Sequence, residues 1–266
     1  MKILSLLIAF AVGHYWPEFS RFRHFGWLLA GPMLASGRQP HWLPVAILAA
    51  TALVVGGLAT YLAAWIAGLF GLLLLGVGTV IYTLGPEHLE RDIRMASNPN
   101  EPDRQQVALE RLLLTPASTG TEAAAASLHA ALSRWFGVLF WFVALGVPGA
   151  LLYRGLRQAH HAGSFESAER AWMGRVLAWM NWPVVALMTG AIALMTDFDR
   201  VKAAFDARPD RWQLPVALLD DLASALCDPA DDLVAGLADG RRLASRALGI
   251  WFAVLSLLLL AGLGNL

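Results

Sequence analysis

Between Leu43 and Gly85 the chain carries no charged residue. A hydrocarbon core of roughly 30 Å is crossed by about 20 helical residues at 1.5 Å each, so this run is too long for one span. It suits two spans joined by a tight turn, which we place near Ala59 to Trp65, with spans at about 43–61 and 65–84. Gly56 and Gly57 in one arm, and Gly68, Gly71, Gly76 and Gly78 in the other, would let the arms approach closely.

A second apolar run ends the stretch SLHAALSRWFGVLFWFVALGVPGALLY, from Ser127 to Tyr153. No charged side chain follows Arg134 until Arg154, which predicts a span at about 135–153, entered from a polar approach helix and kinked around Gly146, Pro148 and Gly149. Further spans are expected at about 176–195, interrupted by Asn181-Trp182-Pro183, and at about 247–264. A hydrophobic N-terminal helix over 2–16 either spans or lies in the interface, with Tyr15 and Trp16 at headgroup level. The chain is 57% hydrophobic and 15% charged, against about a quarter charged in ordinary soluble domains. The expectation is an all-α, polytopic membrane protein with a lipid bilayer as its surroundings.

The polar regions read as helical too. Pro86 suits a first helical residue, and Glu87 with Arg91 and Glu90 with Arg94 are spaced as i,i+4 pairs beside the apolar face of Leu89, Ile93 and Ala96. A second amphipathic segment runs from Pro102 towards Thr115, and Ser118 to Thr121 supply caps for the approach helix. The 197–246 region carries helical signals around Leu214 to Leu226 and Asp231 to Leu243, whereas 17–42 reads as a loop with a short amphipathic piece. Loops 17–42, 86–134 and 197–246 hold 3, 5 and 7 basic residues, against 4 in 154–175. Counting arginines therefore puts those three regions in the cytoplasm, 86–134 and 197–246 as helical subdomain, and 154–175 on the opposite side.

The net charge is zero and only Lys2 and Lys202 are lysines, so no basic stripe points to nucleic acid. The single cysteine, Cys227, excludes an internal disulfide, and no Cys/His spacing suggests a metal site. His160-His161 has no third ligand nearby in sequence. No GxxxxGK[ST], GxSxG or HExxH motif is present. The candidate ligand-binding residues are Arg134, Arg154, Arg157, His160 and Asn181. Arg134, at the mouth of the central helix, either snorkels as a topology anchor or lines a cytoplasmic pocket for an anion. Arg154 and Arg157 suit lipid anchoring or a phosphate, and Asn181 needs a partner across the bundle or a ligand.

The order of these features, with LERDIRMA, VALERLLLT, LFWFVALGVPGALLY and a later NWP, resembles the AmpE branch of the CobD/CbiB family of bacterial inner-membrane proteins. The other branch of that family attaches aminopropanol or its phosphate to adenosylcobyric acid, using ATP. Its acidic, Asn-rich run before the span is matched here by AASLHAALSR, with Ala125, His129, Ala130 and Ser133, and its second run by RQAHHAGSF, with Arg157 and His160. The carboxylates that such a synthase would use are missing from both places. The resemblance to the AmpE branch instead implies a regulatory, non-enzymatic membrane protein linked to β-lactamase induction and muropeptide signalling, with the cytoplasmic amidase AmpD as functional partner. It also implies an anionic small ligand, a muropeptide or a nucleotide; no cofactor can be named from the residues.

Overall fold

A computed structural model describes residues 2–15, 26–37, 39–84, 89–98, 100–115, 118–208, 215–228 and 232–261. The regular elements are all helices: α1 (Lys2–Tyr15), α2 (Gly26–Ala35), α3 (Leu43–Thr83), α4 (Leu89–Ala96), α5 (Pro102–Arg111), α6 (Gly120–Ala131), α7 (Gly137–Leu145), α8 (Val147–His161), α9 (Ser167–Met195), α10 (Phe198–Ala207), α11 (Leu218–Leu226) and α12 (Leu233–Leu260), with a short 3-10 turn at Pro215–Ala217. A π-helical turn, Leu132–Phe136, joins α6 to α7 without a break. Four helical stretches are long and apolar enough to cross a membrane: Leu43–Thr83, Gly120–Leu145, Ser167–Met195 and Leu233–Leu260.

Two compact units are present. The first comprises 1–86, 137–180 and 254–266; the second comprises 87–136 and 181–253.

In the first unit the long uncharged helix α3 reverses at Gly68, where φ is 56° and ψ −134°. The expected turn near 59–65 is therefore displaced to Gly68, and the arms are 43–67 and 69–83. The reason is steric. The reversal demands a positive φ, which a residue without a β-carbon adopts freely, and 59–65 contains no glycine. Three residues on, a β-carbon at Gly71 would overlap the Ala63 carbonyl and stand 3.1 Å from the Ala67 β-carbon, so only glycine lets the arms close.

The same construction recurs in the central stretch. Gly146, with φ 74° and ψ −149°, separates α7 from α8, and a β-carbon at Gly149 would overlap the Trp141 carbonyl and lie 2.6 Å from that of Leu145. At the other end of the pair, Gly137 leaves room for the Tyr153 ring. Residues 135–153 are thus a helical hairpin rather than one kinked span. Because α8 returns alongside α7, the connection after it rejoins the end of the unit where α2 terminates. There Ser36 Oγ donates to Glu169 Oε2 (2.7 Å) and Gly37 N to Glu169 Oε1 (3.0 Å), with the Ser164 carbonyl 3.5 Å from Ser36 Oγ. The described end of loop 17–42 and the 154–175 connection therefore share one side, against the separation expected from counting arginines. The first α3 arm packs along α8, with Gly56 against Pro148, and Gly155 against Leu28 and Leu48.

Other expected boundaries also shift. The polar helix near 231–243 and the last span form the single helix α12, and α9 begins at Ser167 rather than 176. Within 17–42 the structure holds α2, an apolar helix with Leu28, Leu29, Pro32 and Ala35 buried. The expected Glu87 to Arg91 pair falls partly outside the described residues, as does Trp16.

Candidate functional site

In the second unit the apolar face of α4 consists of Leu89, Ile93 and Ala96, all buried, and Asp92 lies within it at 1% exposure. A carboxylate so placed is tolerated only when paired. Arg134 Nη1, on the π turn, donates to Asp92 Oδ2 at 2.6 Å, and Arg111 Nη1, at the end of α5, donates to Oδ1 at 3.3 Å. Arg134 is itself only 5% exposed. The cation that sequence reasoning offered to an anionic ligand is thus engaged by an internal carboxylate. Asp92 was missed, although its place among Leu89, Ile93 and Ala96 puts an acid on an apolar face.

Helix α6 continues this commitment. Its N-terminus is closed by a capping box in which Thr119 Oγ1 accepts from Glu122 N (3.2 Å) and Thr119 N donates to Glu122 Oε2 (2.9 Å). On its flank, β-carbons at Gly236 and Gly240 would collide with the Gly120 and Ala124 carbonyl regions, so small residues four apart on each helix allow backbone contact with α12. His129 Nε2 lies 2.7 Å from Asp220 Oδ1 on α11. The neighbouring Asp221 accepts two bonds from Arg208, one from Nε and one from Nη2 (2.8 Å). Successive carboxylates on α11 therefore staple α6 and the end of α10, beside a surface cavity of about 680 Å³ lined by Arg200, Ala204, Arg208 and Ser224.

The remaining candidates lie apart. Arg154, Arg157 and His160 follow one another along α8 in the first unit, whereas Arg134 and Asn181 belong to the second, so no single unit gathers all five. His160 Nδ1 is 3.1 Å from the Arg170 carbonyl, which can only accept, so that nitrogen carries the proton. Its ring meets His161 edge-on at 5.4 Å. Partial burial, Arg157, His160 and Arg154 together hold the His161 imidazole below its ordinary value. Asn181 is buried within α9. Among the described residues no group of three His, Cys, Asp or Glu side chains could hold a metal ion.

A second enclosed space belongs to the first unit. A cavity of about 710 Å³ lies at the tip of the α7–α8 hairpin, lined by Gly146, Pro148, Leu72, Thr60, Tyr61 and Lys2. Sequence reasoning passed over Lys2, the only charged group among its lining residues.

Together these features define a multi-pass, all-α membrane protein with a polar helical unit in which Asp92, Asp220 and Asp221 pair with Arg134 and Arg111, with His129 and with Arg208 across its helices. Compared with known protein families, curated proteins and solved structures, the chain matches none.

Proposed function

We propose that this protein is a regulatory sensor of the AmpE type in the bacterial inner membrane, acting in β-lactamase induction and muropeptide signalling alongside the amidase AmpD. The observation that carries this reading is what occupies the positions where a cobamide synthase would place acidic groups. Ala125 is buried, Ser133 Oγ donates to the Ala130 carbonyl at 2.9 Å, and His129 is taken by Asp220. These positions are spent on holding α6 in its unit, and a unit tied by ion pairs suits relaying a signal better than binding ATP.

The test is deletion of the gene in its host, followed by β-lactamase activity after exposure to a β-lactam inducer. Induction should change several-fold and return with the plasmid-borne wild type. The alternative is an amide synthase of the CobD/CbiB type. Unchanged induction, together with rescue of a strain lacking the cobamide synthase, would establish that alternative instead.

A further inference from the structure

The cavity at the tip of the α7–α8 hairpin lies among α1, both arms of α3 and the Gly146 reversal, all within the first unit. Its walls are apolar apart from four side chains: Lys2, Ser5, Thr60 and Tyr61. Ser5 Oγ donates its proton to the Leu73 carbonyl (3.3 Å) and Thr60 Oγ1 to the Gly56 carbonyl (2.7 Å), so the proton of each is used within the protein. The donors of the wall are the Tyr61 phenol and Lys2. Lys2 Nζ uses one proton on the Val143 carbonyl at 3.4 Å, in the last turn of α7, which leaves two for an occupant. Beside it α8 begins; Pro148 has no amide proton and Ala150 N donates to the Gly146 carbonyl (3.2 Å), so the first turn can offer at most the amides of Val147 and Gly149, at the partially positive end of the helix.

Positive charge at one end of an apolar cavity selects an anionic head with a hydrocarbon body. The way in is lateral: Tyr61, Leu69 and Leu145 line the cavity yet are 67%, 64% and 53% exposed. They continue into the exposed apolar surface of Leu58, Leu62 and Trp65, which faces hydrocarbon in a membrane. An occupant therefore enters from the bilayer.

We propose that this cavity binds an anionic membrane lipid, its phosphate on Lys2 and the start of α8, its acyl chain along the groove beside Tyr61 and Leu69. A lipid phosphate would give the part-buried Lys2 ammonium an anionic partner at the edge of an apolar space. The proposal stands independently of the regulatory reading.

Two variants separate head from body. Gly57 lines the cavity and a β-carbon there meets nothing within 4 Å, so Gly57→Leu starts its side chain in open space at the cavity wall. Lys2→Gln removes the charge and Lys2→Arg keeps it. The full chain, purified in mild detergent, is titrated with phosphatidylglycerol and with phosphatidylcholine of identical acyl chains, bound lipid being counted by native mass spectrometry. Wild type should prefer phosphatidylglycerol by roughly fivefold, the scale of one cation at an anionic membrane surface. Lys2→Gln should bind the two equally, Lys2→Arg should keep the preference, and Gly57→Leu should lose both lipids. The proposal falls if wild type shows no preference, if Lys2→Gln retains it, or if Gly57→Leu binds like wild type. Glycerol 3-phosphate displacing the lipid at equal concentration would also overturn it, because the site would then read a soluble phosphate.

Discussion

Asp92 and Arg134 form a pair whose members are 1% and 5% exposed, so removing either takes the nearest opposite charge from the other in a packed interior. Truncating one partner of such a pair costs roughly 3–5 kcal/mol, whereas replacing both with apolar residues is often neutral. Asp92→Ala should therefore lower the unfolding midpoint sharply in a detergent melt, and Asp92→Leu with Arg134→Met should recover most of the loss. A double variant no better than either single one would show that the pair is not the governing interaction. His161, in the first unit, gives a pH signature. Its folded value lies below its ordinary 6.5, so the unfolded chain binds the proton more readily. Stability is then present above pH about 6.5 and is lost as pH falls through that value towards the depressed one. Melting midpoints between pH 7.5 and 5.5 should drop less for His161→Gln than for wild type. The sequence made Arg134 visible as a cation at a helix mouth, but its partner lies 42 residues away and no spacing rule connects them.

At the scale of elements, apolar composition showed where the chain enters hydrocarbon and was silent on whether it goes through. A span and a hairpin of the same length have the same hydropathy, and only the reversal residues differ. Those residues were legible in principle: Gly68-Leu-Phe-Gly71 and Gly146-Val-Pro-Gly149 share one pattern, a glycine of positive φ and a second one against a carbonyl five residues before the first. Reading 135–153 as a single span set the kink at the right glycine and underestimated its angle. Gly146→Ala would place a β-carbon at φ 74° and ψ −149°, a conformation essentially confined to glycine, at a cost of roughly 1–3 kcal/mol, and Gly149→Ala would overlap with the Trp141 carbonyl. Gly78→Ala is the control, since a β-carbon there meets nothing and helix propensity improves by up to about 1 kcal/mol. Heat-induced loss of the monodisperse peak should rank Gly149→Ala worst, Gly146→Ala next, and Gly78→Ala equal to or better than wild type.

For the whole molecule, the hairpin changes what counting arginines means. That count assumes that each apolar run transfers the chain to the other side, and a run that turns back at Gly146 transfers nothing. The clasp of Ser36 and Gly37 on Glu169 is the local proof: the Glu169 carboxylate, fully buried, accepts from Ser36 Oγ, Gly37 N and Glu166 N, so loop 17–42 and connection 154–175 meet in one place. Gln39 and Ser164 are both exposed beside that clasp, and the single native cysteine, Cys227, is buried. Gln39→Cys and Ser164→Cys, each in a Cys227→Ser background, should therefore react identically with a membrane-impermeant maleimide in intact cells: both labelled, or both labelled only after permeabilisation. Glu169→Gln keeps the size of the side chain, replaces one of the two acceptor oxygens that take these three hydrogen bonds with an NH2 donor, and should raise protease cleavage between 36 and 41 without changing the labelling side. Opposite labelling of Gln39 and Ser164 would mean that residues 137–153 cross the bilayer after all, and the hairpin would have to be abandoned with it.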